Sequence, residues 1–269
     1  MNTEQYRTNP LLDKLYMPGE TFKMPSQGLF YTNEEISDDV VDGEVHIKPM
    51  TAYDEILLRT PDLLFSGKAI EEVFKRCIPQ VYKPMELLSK DVDFLLICLR
   101  KITYGDLIEI AYKHDCKDAK NHTYQIDINS FLKNTKYIDP TSFKDKFKIT
   151  LPNGQVVMIQ PPKFKDSISI FQRLSINKSE DMTPEKTYNS LIDNVLSIIK
   201  SVDNVEDEGL IREWLAELRA NWLNNIANEV VTFGEFGIDF DFHAKCKDCN
   251  ADIKISVPVN PISFFSVPL

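Results

Sequence analysis

The chain has 269 residues, 43% of them hydrophobic, and its 31 basic against 41 acidic side chains leave a formal charge of −10. That length allows one large domain or two ordinary ones, and the composition is that of a chain that buries a core, excluding collagen-like and low-complexity classes. The acidic balance argues against gripping nucleic acid, which needs a surplus of Lys and Arg on one face. The longest apolar run, Phe94 to Leu99, is far short of the ~20 residues of a membrane span. Met1 to Pro10 lacks the apolar core of a secretory signal, and five cysteines fit a reducing compartment better than a disulfide scaffold.

In chain order, the first ~40 residues carry Pro10, Pro18, Pro25, Gly19 and Gly28 among scattered aromatics and read as an extended arm. An arm with so many apolar side chains repays its ordering entropy only by docking on a surface, of this chain or of a neighbour. Glu44-Val-His-Ile-Lys alternates as a strand, and Thr51 caps a helix with Asp54 and Glu55 in its first turn. Helices are predicted over 51–60, 67–77 and 83–102, the last too apolar for an exposed position. Cys77 and Cys98 sit among them and read as small buried hydrophobes.

After Gly105 the period changes to that of strands, over 107–112 and 123–128, with a polar turn between. A second hairpin spans 147–159 around Asn153-Gly154, a strong turn signal. Helical spacing returns over 166–174, 184–202 and 207–229, where Trp214 and Trp222 read as packing residues. The last strands, from Gly237 to Pro258, flank a Cys246-Lys-Asp-Cys249 knuckle. The fold class expected is α+β, a discontinuous antiparallel β core built as a zinc-ribbon-like hairpin pair with two helical segments. The division expected is an arm over 1–43, a helical segment over 44–104, a β domain over 105–164 and 232–269, and a helical insertion over 165–231.

The two knuckled hairpins align without a gap. Ile108-Glu-Ile-Ala-Tyr-Lys-His-Asp-Cys116-Lys-Asp-Ala119 lies on Ile238-Asp-Phe-Asp-Phe-His-Ala-Lys-Cys246-Lys-Asp-Cys249. In a zinc ribbon two facing knuckles complete a tetrahedron that neither supplies alone. Here Cys246 and Cys249 form an intact knuckle, Cys116 is a third thiolate, and His122 or His114 is the fourth candidate. The ligand set taken from the sequence is Cys116, His122, Cys246 and Cys249, for one structural zinc. The competing reading is that the hairpins pair without metal, the second cysteine of the first knuckle having become Ala119. A redox role does not suit a pair lying between strands.

No phosphate-binding glycine loop, nucleophile elbow or His-Glu-x-x-His occurs, and no carboxylates are spaced for acid–base work. No catalytic residue or organic cofactor site is therefore expected.

Met24-Pro-Ser-Gln-Gly-Leu-Phe-Tyr31, Val45-His-Ile-Lys-Pro-Met-Thr-Ala-Tyr-Asp-Glu55, Arg100-Lys-Ile-Thr-Tyr-Gly105 and the Cys246/Cys249 knuckle, in that order, resemble the baseplate hub and hub-assembly proteins of T-even-like contractile-tailed bacteriophages. The resemblance implies a non-enzymatic structural or assembly protein that works by contact with other tail proteins. It would be made in the host cytoplasm, be found in the virion tail baseplate, and be open to homo-oligomerisation there. Phe22, Phe30 and Tyr31 of the arm and Phe264 and Phe265 of the C-terminal tail are the candidate partner contacts, with packing inside the chain as the alternative. The rival function is a zinc-ribbon adaptor for nucleic acid or the transcription machinery.

Overall fold

The computed structural model describes residues 18–116, 120–141, 147–177, 183–228 and 236–257. Its architecture is α+β, with helices packed around small antiparallel sheets. The arm is not extended throughout. Residues Glu20–Lys23 form β1, which pairs antiparallel with β2 (Glu44–Ile47) in the register Glu20↔Ile47 and Lys23↔Glu44. The alternation of β2 sends Val45 and Ile47 into the core, both fully buried. Asp42 and Gly43 both take left-handed backbone angles (φ 52° and 75°), and the Gly43 carbonyl accepts the Met24 N–H at 2.9 Å. A Cβ on Gly43 would lie 2.6 Å from the Gln27 carbonyl carbon, so only glycine fits.

The Met24–Tyr31 motif is fastened to a central helix. Helices α1 (Ala52–Leu58), α2 (Pro61–Phe65) and α3 (Lys68–Cys77) precede α4 (Ser89–Tyr104), in which Val92 and every residue from Phe94 to Arg100 are buried. In the first turn of α4 the buried Asp91 carboxylate accepts the Ser26 N–H at 3.0 Å and the Tyr31 hydroxyl at 2.5 Å. The Tyr31 oxygen in turn accepts the Leu88 N–H at 2.9 Å. Burial pushes the Asp91 carboxyl up against the lowering effect of the Ser26 and Tyr31 hydrogen bonds, and burial likewise raises the Tyr31 hydroxyl. The Thr51–Glu55 motif has a similar local logic. The Thr51 N–H and hydroxyl both donate to Asp54, whose other oxygen takes Arg76 Nε at 2.5 Å. Cys77 and Cys98 are buried as expected, and burial pushes the Cys77 thiol up to about 12.

Asp93, one turn along α4, is pushed by burial up to about 6, with Lys90 opposing. An acid whose pKa rises on folding binds more protons folded than unfolded, so stability falls as pH rises from 3.8 to about 6 and is level above. Asp93→Asn is therefore expected to gain about 2–3 kcal/mol at pH 7, with the gain vanishing below pH ~4, as thermal melts across that range would show. A variant no more stable than the parent at pH 7 would refute this.

Beyond α4, β3 (Leu107–Tyr112) pairs antiparallel with β4 (His122–Asp127), placing Tyr112 opposite His122. Asp127 then caps α5 (Ile128–Lys133), accepting the Asn129 N–H at 2.9 Å. The Asn153-Gly154 turn, with Gly154 at φ 87°, joins β5 (Lys148–Thr150) to β6 (Val156–Ile159). Helix α6 (Phe164–Asn177) follows.

Three of the predicted helices differ from the structure. The one expected over 83–102 begins only at Ser89, after a short 3-10 turn at Pro84–Glu86 and the extended Leu87 and Leu88. The segment expected as one helix over 184–202 stops at Leu196 as α7 (Pro184–Leu196), and Ile199–Val202 forms β7 on β6. The β-branched Ile199 and Val202 gain more by covering the sheet than by extending the helix. The segment over 207–229 divides at Leu218, whose extended backbone separates α8 (Glu208–Glu217) from α9 (Ala220–Asn228).

Two large apolar clusters result. The first gathers β2, α3, α4, Ile126 and Phe131, and the second gathers Val157, Ile159, Val195, Ile211, Leu215 and Ile226. Trp214 and Trp222 pack against the second, in keeping with a packing role, and Trp214 Nε1 donates to Gln155 at 3.2 Å. The last strands, β8 (Asp241–Lys245) and β9 (Asp252–Ser256), pair antiparallel.

Candidate metal centre

The β3–β4 and β8–β9 hairpins meet through an apolar cluster of Tyr124, Cys246, Ile253 and Ile255, against which Ile110, Tyr112, Cys116 and Phe242 pack. The alternation that makes them strands places these side chains on the shared face. At the mouths of the two hairpins His114, Cys116, Cys246 and Cys249 converge, with one ligand atom from each within 4.8 Å of all the others. Cys249 Sγ lies 3.4 Å from His114 Nδ1. A tetrahedron of thiolates ~2.3 Å from zinc has edges of ~3.8 Å, so the donors stand within a small contraction of a binding set.

The second knuckle is built to present sulfur. The Cys246 N–H donates to the Ala251 carbonyl at 2.8 Å and the Asn250 N–H to the Cys246 carbonyl at 2.9 Å. Asn250 turns the chain at φ 60°, a left-handed conformation asparagine tolerates. The backbone N–H groups of Cys249 and Asp248 point at the Cys246 sulfur and hold its thiol down to about 6. Burial and the neighbouring Cys249 and Cys246 sulfurs push Cys116 the other way, up to about 11.

The residues between the two knuckle cysteines also reach the first hairpin. Lys247 donates from Nζ to the Thr123 carbonyl at 2.6 Å and lies over the Tyr124 ring at 5.0 Å. Asp248 accepts the Lys120 N–H at 3.1 Å and stands 2.8 Å from His122 Nε2. All four residues of Cys246-Lys-Asp-Cys249 therefore bridge the hairpins.

This arrangement corrects the ligand set taken from the sequence. Cys116, Cys246 and Cys249 come together, but the imidazole beside them is that of His114, while His122 faces the Asp248 carboxylate. The β3–β4 register decides it. His122 pairs with Tyr112 inside the ladder, whereas His114 lies two residues beyond the strand on the same side of the mouth as Cys116. Lys120, Lys247 and Asp248 were not singled out in the sequence, although the Cys-Lys-Asp triplet common to both hairpins was the signal for the last two.

Of the arm's candidate contacts, Phe22 packs against the first cluster with Lys101 Nζ 5.6 Å from its ring centre. Phe30 meets Phe147 edge-on at 5.4 Å, and Tyr31 is the partner of Asp91. Phe264 and Phe265 lie outside the described residues. An open pocket beside Trp214 is lined also by Gln155, Val202, Asp203, Val205, Leu210 and Ile211. No helix among the described residues is long and apolar enough to cross a membrane.

The order of motifs from the arm to the terminal knuckle is that of a phage tail baseplate component, an α+β protein clasped near its end by a cysteine–histidine cluster. Residues 19–266 match the family described as T4 bacteriophage base plate protein, and the chain belongs to that family. No curated protein and no solved structure shows significant similarity to it.

Proposed function

We propose that this protein is a non-enzymatic structural or assembly component of the hub region of a contractile tail baseplate, with its β3–β4 and β8–β9 hairpins closed around one structural zinc. The observation that carries the reading is the family match over residues 19–266, nearly the whole chain. The fate of two of its perturbed groups is in keeping with a structural role. Asp91 and Tyr31 spend their polar atoms on each other and on backbone N–H groups, as structural groups do. On this reading the chain is made in the host cytoplasm and acts through contacts with other tail proteins. Affinity capture of the tagged protein from infected cells, followed by mass spectrometry, is expected to recover baseplate proteins in excess over an untagged control. Recovery of no tail or baseplate protein would overturn the hub reading.

A further inference from the structure

Resting on the reading of the hairpin pair as a metal centre, we infer that the centre is a closed Cys3His zinc site formed by His114 Nδ1, Cys116, Cys246 and Cys249, from which the Asp248 carboxylate withholds His122.

Three features of the site carry this. First, the donors divide evenly between the hairpins, and His114 with Cys116 forms a His-x-Cys pair where a paired ribbon would need Cys-x-x-Cys and Ala119 supplies no ligand. Across the gap Cys249 Sγ and His114 Nδ1 stand 3.4 Å apart, close to the edge length of a tetrahedral site. Second, three sulfurs and an imidazole form a soft donor set. They select zinc over magnesium and calcium, which take oxygen ligands, and four protein ligands leave no open position for substrate. Third, the knuckle is a tight turn fixed before any metal arrives, by the left-handed Asn250 and by the backbone hydrogen bonds from Cys246 N–H to the Ala251 carbonyl and from Asn250 N–H to the Cys246 carbonyl. The Asp248 carboxylate accepts the Lys120 N–H and stands 2.8 Å from His122 Nε2. His122 is thus a positioning residue, fastening the knuckle to the first hairpin as an outer-shell carboxylate–histidine pair does.

The test uses the full chain, purified with zinc and then exchanged with cobalt(II). The parent is expected to hold about one metal per chain by mass spectrometry and to give the absorption of a tetrahedral cobalt site with three thiolates. His114→Ala should bind metal at least ~100-fold more weakly, beyond the ~10–100-fold cost of an outer-shell change. His114→Cys should keep one metal and gain the charge-transfer intensity of a fourth thiolate, which reads out the ligand even if the alanine variant does not fold. His122→Ala should keep the three-sulfur spectrum, weakened by no more than the outer-shell cost. An unaltered spectrum and affinity in both His114 variants, or loss of metal in His122→Ala, would overturn the ligand assignment while leaving a metal centre. A parent chain that takes up neither zinc nor cobalt would overturn the centre itself.

Discussion

Replacing Cys246 and Cys249 together with serine is expected to lower the Tm by on the order of 10 °C. A ligand present at 1,000 times its dissociation constant contributes about 4 kcal/mol to the folded state, and a chain of this size loses ~2–4 °C per kcal/mol. The loss should stop short of unfolding, because Lys247 and Asp248 still join the hairpins through Thr123, Lys120 and His122. Chelation of the parent should reproduce the shift in calorimetry, whereas chelation of the serine variant should do nothing further. Hydrogen exchange should speed up in β3–β4 and β8–β9, while the cluster of Val157, Leu215 and Ile226 keeps its protection, since none of its members belongs to the clasp. A serine variant melting within about 1 °C of the parent would refute a stabilising metal.

The second large effect lies in the first turn of α4. Asp91→Ala leaves the Ser26 N–H and the Tyr31 hydroxyl buried without their acceptor, at a cost of about 2–5 kcal/mol. Tyr31→Phe removes the donor to Asp91 and the acceptor of the Leu88 N–H, and should cost less because the ring still packs. The two losses should not add, since each variant already breaks the shared contact, and urea denaturation of both single variants and the double variant would measure the shortfall. Strict additivity would mean that the Tyr31–Asp91 contact carries no energy. The Met24–Tyr31 motif is explained by this contact: Ser26 offers a backbone N–H, Tyr31 a hydroxyl, and the turn between them returns both to the same carboxylate.

Much of this fold was legible because its elements are locally encoded. The strand 107–112, the helix 67–77, the helix start at Thr183-Pro184 and the Asn153-Gly154 turn all follow from period and cap residues, and the structure places them within a few residues of expectation. The failures have a common cause. Ile199–Val202 carries an apolar spacing that helix and strand share, and only the free edge of β6 made it a strand. The division of 207–229 at Leu218 likewise has no glycine or proline to announce it.

The candidate site shows the same boundary. The sequence by itself determined the donor types, the intact Cys246/Cys249 knuckle and its echo at Cys116, because a degenerate repeat survives as spacing. It also determined the order of motifs by which the chain is placed among baseplate proteins. Which imidazole joins the sulfurs was decided only by tertiary structure. His114 and His122 lie eight residues apart at one hairpin mouth, and their roles depend on a strand register and on a carboxylate, Asp248, more than 120 residues away in the chain. Local pattern sets φ and ψ and hence the elements, but a metal site or a buried carboxylate is settled by ångström-scale distances between segments that only packing brings together.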